Sequence, residues 1–292
     1  MSFTTAYQEV GRLLVAAVTK VDAPDSFREL LYIPLCQRGK LLHGEPCPRW
    51  PMMVLASSRA AGGPDSVATR VAAAMELFIA AADVLDEIQD GDSSPLATAA
   101  GPAQALNAAT ALLTLAYDQL SSLDEAGLAR ERIPLFIRTL SRLSFRAAAG
   151  QHLDLAAEGA DELTVTKALE IARMKAGELG AAACRLGALT GTTNGDLLTH
   201  YEAFGRHLGT LAQLSNDLAD SLRADEKSDR DRAKGTLPLV YDRGSRDLDP
   251  SGALHFTWVV MELERQAALD IVRQLQELGQ ATASLEALLP DE

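Results

Sequence analysis

Residues 65–90 read DSVATRVAAAMELFIAAADVLDEIQD. Val67, Val71, Met75, Phe78, Ala82 and Leu85 recur every three or four positions, which is the stripe of an α-helix and not the alternation of a strand. Gly62-Gly63-Pro64 punctuates the chain just before, leaving Asp65 or Ser66 as the cap, and Gly91 followed by Asp92-Ser93-Ser94-Pro95 ends the helix. The same pattern extends outward. Helices are expected from Ala103 to Leu120, Leu135 to Ala157, Thr166 to Leu189 and Asp196 to about Leu222, with a last one opened by Asp249-Pro250 and running through Leu278. No proline lies between Pro134 and Pro238, and one inside a helix would cost about 3 kcal/mol. Aromatic residues make up 5% of the chain, and β-branched runs of period two are nearly absent. The expectation is an all-α protein with residues 1–292 in a single helical bundle. Pro34, Gly39, Gly44, Pro46 and Pro48 break any periodicity between about 33 and 50, so that stretch reads as an irregular loop. The charged run RADEKSDRDRAK, 223–234, reads as a second loop.

The chain has 292 residues, 47% of them apolar, and a net charge of −13. That is ample for a buried core and too apolar for disorder. The acidic balance argues against nucleic acid or an anionic membrane surface as partner. Cys36, Cys47 and Cys184 form no CxxC pair, the amino-terminal MSFTTAYQEV has no basic start or apolar run, and no apolar stretch reaches about 18 residues. A reduced, cytoplasmic protein without a membrane span is expected.

Two acidic clusters carry chemistry. Asp83, Asp86 and Asp90 are three and four positions apart on the first helix, expected opposite its apolar stripe, and Gln213, Asn216, Asp217 and Asp220 share one face of the fifth. Aligned carboxylates repel one another, and a divalent cation with oxygen ligands removes that cost. Two such helices facing across a bundle could hold Mg²⁺ with the ligand's phosphates, and nearby lysines, Lys175 and Lys234 among them, could hold the outer oxygens. The chemistry this suits is departure of a diphosphate.

Five segments in order resemble the trans-isoprenyl diphosphate synthase (polyprenyl synthetase) family. They are DEIQD (86–90), GQHLDL (150–155), KAGELGAAACRLGAL (from Lys175), NDLAD (216–220) and KSDRDRAKGTLPLV (227–240). The resemblance implies an isoprenoid synthase fold around a deep central cavity, a homodimer, and two or three Mg²⁺ ions. It implies Asp86, Asp90 and Asp154 as metal ligands on one side, with Asn216 and Asp220 opposite and Asp217 in support. Lys175, Gln213, Lys227 and Lys234 would contact the allylic diphosphate, with Asp86, Asp90, Lys175 and Gln213 as the catalytic set. Positions four and five before the first motif limit chain length when aromatic. Here they are Ala82 and Ala81, with Phe78 one turn below, which favours a product of C20 or longer.

The acceptor half departs from the family. After Asp90 the chain reads GDSSPLATAAGP, without the usual arginine pair, and before Pro51 the residues Cys47, Pro48 and Trp50 stand where cations are usual, leaving Arg49. Arg38, Lys40 and His43 could substitute, although a loop lysine or histidine reads first as solvated. The expected function is Mg²⁺-dependent condensation of an allylic diphosphate with isopentenyl diphosphate. The alternatives are a prenyltransferase with another acceptor, a terpene-synthase-like cyclase, and a non-catalytic regulatory subunit.

Overall fold

A computed structural model of the chain describes residues 1–44, 48–91, 94–158, 163–222, 235–244 and 250–290. Thirteen α-helices account for most of these residues, and there is no strand among them. They are α1 (Phe3–Thr19), α2 (Asp25–Leu35), α3 (Arg49–Ala60), α4 (Asp65–Gln89), α5 (Pro95–Ala100), α6 (Pro102–Ser121), α7 (Ile133–Ala157), α8 (Val165–Ala172), α9 (Glu178–Leu189), α10 (Gly195–Leu222), α11 (Leu237–Gly244), α12 (Pro250–Glu277) and α13 (Ala283–Glu286).

Helix α4 is the axis of the bundle. It packs on α1, α2, α3, α6 and α9, and Val67 through Ala81 are almost all buried. A helix enclosed on every side needs small residues where neighbours press closest, which its alanine runs at 72–74 and 80–82 supply. One apolar cluster, from Ala6 on α1 to Leu285 on α13, joins the two ends of the chain. A smaller one gathers Ala168, Leu214, Leu237 and Val260 where α8, α10, α11 and α12 meet.

Two solitary glycines in the proline-free span, Gly180 and Gly205, mark a helix crossing and not a break. A Cβ on Gly180 would lie 2.1 Å from the Gly205 carbonyl, so α9 and α10 cross backbone to backbone at that pair.

Three local expectations differ from what is seen. Residues 166–189 are not one α-helix, because a π-helical turn at Arg173–Gly177 separates α8 from α9. The 33–50 stretch is helical at both ends. Pro34 sits in the last turn of α2, where its missing amide costs only a terminal bond, and α3 starts at Arg49. Between them, Leu41–His43 form a 3₁₀ turn closed by Gly44 at φ 92°. The helix α4 begins at Asp65 itself, after Pro64. The charged run at 223–234 and the Asp249 cap lie outside the described residues.

Candidate active site

A cavity of about 1250 Å³ runs between α4, α6, α7 and α10, and the turn before α3 reaches its rim. From α4 it takes Phe78, Ala82, Asp83, Leu85 and Asp86. The acidic and apolar residues therefore do not lie on opposite faces of this helix. Asp86 continues the Phe78–Ala82 row one turn further on, so the cavity is apolar at one end and acidic at the other, about 12 Å apart by helix rise. Ala81, one position round the helix, is fully buried in the core and is not a lining residue.

Helix α10 brings Gln213 and Asn216 to the cavity that Asp83 and Asp86 line from α4. Gln213 is held in place by donating from Nε2 to Asp217 Oδ1 at 2.9 Å, and Asp217 is buried. Asp220 lies on α10, with its side chain outside the described residues, as are Lys227 and Lys234 altogether.

The centre of the acidic end is Lys175. Its ammonium lies 2.8 Å from Asp86 Oδ1 and 3.1 Å from Asp154 Oδ2, joining α4 to α7. Burial opposes its charge, but Asp86 and Asp154 outweigh that and hold its pKa above the ordinary lysine value. Burial dominates at Asp86 and raises its carboxyl above the ordinary aspartate range, against the pull of Lys175 and with the push of Asp90 and Asp83. Asp90 accepts from Gln151 Nε2 at 3.1 Å, a second link from α4 to α7. Glu87, in the second position of DEIQD, is raised chiefly by burial, with a hydrogen bond from Ser94 opposing.

Two local features aim Lys175. It sits in the π turn, which turns its backbone out of the α-helical register. Gly150 lets α7 press on that turn, because a Cβ there would stand 2.6 Å from the Lys175 amide nitrogen and 2.7 Å from the Met174 carbonyl carbon.

Among the described residues, no three carboxylate, imidazole or thiolate groups surround one point closely enough to hold an ion unaided. The donor set still suits a hard divalent cation. Asp86 and Asp154 approach from different helices with one monovalent ammonium between them, and Asp90 and Asp83 add to the push that burial gives the Asp86 carboxyl. Magnesium takes one or two carboxylates and completes its shell with water and substrate phosphate.

The rim holds the surprise. Arg38, Lys40 and Arg49 all line the cavity. Lys40, which the sequence suggests is solvated, is 5% exposed and pairs with Asp83 at 2.5 Å. Its turn is fixed by the Leu41 amide, which donates to the fully buried Glu76 at 2.8 Å. No local signal reveals this, since the partners are 35 and 43 positions away. His43 is exposed, with its ring at the Cys36 carbonyl, and takes no part in the cavity. Tyr117 from α6 and His152 from α7, neither singled out by the sequence, also line it.

The chain is 27% identical to farnesyl diphosphate synthase of Geobacillus stearothermophilus over 253 residues, covering 80% of this chain and 81% of that one. It is 30% identical to tryptophan prenyltransferase ComQ of Bacillus subtilis, over 60% of this chain and 54% of that one. The crystal structure of polyprenyl synthetase from Streptomyces coelicolor A3(2) superposes with a TM-score of 0.76 at 21% identity, over 98% of each chain. A sequence profile for polyprenyl synthetases matches residues 49–244, the span that contains the acidic helix, the π turn and Gln213. The chain belongs to the polyprenyl synthetase family of prenyltransferases.

Proposed function

We propose that this enzyme is a Mg²⁺-dependent prenyltransferase that ionises an allylic diphosphate and condenses it with isopentenyl diphosphate. The observation carrying this reading is that Lys175 and Asp86 share one cavity with an apolar channel and with Arg38, Lys40 and Arg49. Asp86, Asp90 and Asp154 would hold Mg²⁺ from one side and Asn216 and Asp220 from the other. Bound there, Mg²⁺ neutralises charge on the leaving diphosphate.

Lys175 and Gln213 bind the allylic diphosphate at the acidic end, with Lys227 and Lys234 as the remaining cations of that subsite. The carbon chain lies along Leu85, Ala82 and Phe78, away from water. Breaking the C–O bond sends the electron pair to the diphosphate and leaves an allylic cation. The double bond of isopentenyl diphosphate, held at the rim by Arg38, Lys40 and Arg49, attacks that cation, and a proton passes from the adduct to the departed diphosphate. The rim cations stand in for the missing arginines, so the acceptor site is relocated and not lost. Ala82 and the cavity volume support a product of C20 or longer. A homodimer in the cytoplasm is part of the proposal.

Transfer to an uncharged acceptor is the second reading. The Lys40–Asp83 pair favours it, because it consumes one rim charge, and so does the similarity to a tryptophan prenyltransferase. Incubation with Mg²⁺ and C5 to C20 allylic diphosphates, with isopentenyl diphosphate, with a tryptophan-containing peptide as uncharged acceptor, or with neither, separates the readings by product mass. Longer diphosphates that need isopentenyl diphosphate are expected. Hydrocarbons or alcohols formed without it would make the enzyme a cyclase or hydrolase, and no product in any combination would remove the elongation reading.

A further inference from the structure

Lys175 is aimed from inside by Asp86 and Asp154, and its turn is also gripped from outside. Arg173, two residues earlier in the π turn, donates from Nε at 3.1 Å and from Nη2 at 2.6 Å to the same oxygen, Oε1, of Glu264 on α12. The other carboxylate oxygen shares a 2.5 Å hydrogen bond with His207 Nδ1 on α10. Glu264 is 3% exposed, so both its oxygens are engaged and neither has water as a ready alternative. Just past the turn, Glu178 at the start of α9 is clamped by Arg146 of α7 and Arg206 of α10, both at 2.9 Å.

A π turn is a rare departure from the α-helical ladder, found mostly as a single turn inside a helix and often at functional sites. Two residues along such a turn point to nearly opposite sides. The outward Arg173 and the inward Lys175 are therefore ends of one lever, with Glu264 holding the outer end.

We infer that Glu264 is a positioning residue for Lys175, acting through Arg173 to fix the π turn and so the place where the substrate's diphosphate is received. This rests on the proposed role of Lys175 at that diphosphate. Glu264 lies outside the span matched by the family profile, 49–244, so the active site is completed by a helix beyond the family's motifs.

The test uses the full chain. Binding of inorganic diphosphate in the presence of Mg²⁺ is measured by calorimetry, beside thermal midpoints, for the wild type, Lys175→Ala, Glu264→Ala, Glu264→Gln, Arg173→Lys and Arg70→Ala. Glu264→Ala should weaken binding roughly tenfold or more, the scale expected when a positioned group is displaced by about an ångström. Glu264→Gln keeps an acceptor for Arg173 and should recover most of the affinity. Arg70 bonds Ser122 and Glu125 far along α4, so Arg70→Ala should lower the midpoint and leave affinity alone. If Glu264→Ala fails to fold, Arg173→Lys, which loses the forked contact at a half-exposed site, should weaken binding in the same direction. Glu264 and Arg173 variants that lose only thermal stability, as Arg70→Ala does, or a Glu264→Gln no better than Glu264→Ala, overturn the inference. Unchanged affinity in Lys175→Ala would instead remove the parent reading of Lys175.

Discussion

Asp86 is held by burial above the ordinary aspartate pKa even though an ammonium lies 2.8 Å away. A carboxyl raised in this way keeps its proton in the folded state over a range where the unfolded chain has lost it. Its contribution to stability is therefore present below the ordinary carboxylate range and is lost as pH rises through the folded value. Without Mg²⁺, Asp86→Asn should flatten the fall in thermal midpoint as pH climbs from about 4; an unchanged slope would mean that other carboxyls carry it. As a Mg²⁺ ligand, the role proposed for it, Asp86 would have to be deprotonated, so Mg²⁺ affinity of the wild type should rise over the same range. Elsewhere, burial pushes the Cys184 thiol up to about 12. Peptide mapping after brief alkylation of the native enzyme should find Cys184 unmodified, and labelling as fast as in the unfolded chain would contradict its packing.

At the scale of elements, the decisive contact is α7 against the π turn. Gly150→Ala places a methyl group against the Lys175 and Met174 backbone, which neither side can yield without moving Lys175. Denaturant unfolding should show a loss of about 1–3 kcal/mol, the usual cost of overpacking, together with weaker diphosphate binding. A variant of wild-type stability would show that the two backbones can part without cost. The long helices were legible because a 3.6-residue period, proline placement and caps are local signals, and α4, α6, α7 and α10 run close to their expected spans. The π turn was not legible, since Arg173–Gly177 has the composition of any α-helical turn, while the residues that meet it, Gly150, Gly209 and Glu264, come from other parts of the chain. The helical ends of the 33–50 stretch were missed for a related reason: a proline tolerated in a last turn looks the same in sequence as one that ends a helix.

Over the whole molecule, Asp86, Lys175, Gln213 and Asn216 were readable as cavity residues from motif order, while the cationic rim was not. Lys40 lines the cavity because the fold brings Asp83 to its ammonium and Glu76 to the Leu41 amide, and no spacing rule joins positions that far apart. The net charge of −13 is unevenly placed about the cavity, with aspartates at one end and basic side chains brought to its rim by folding. Ala82→Phe would fill the channel one turn above Phe78, and product analysis should show shorter diphosphates with total turnover largely retained; an unchanged length distribution would place the limiting wall elsewhere.

The claim on which the rest depends is that the acidic end of the cavity ionises an allylic diphosphate. Release of diphosphate from an allylic substrate, followed in Mg²⁺ and in chelator for the wild type and Asp86→Asn, tests it most directly. Release is predicted to require Mg²⁺ and to fall by about 100-fold or more in Asp86→Asn. Release that survives chelation, or that Asp86→Asn leaves unchanged, would contradict it.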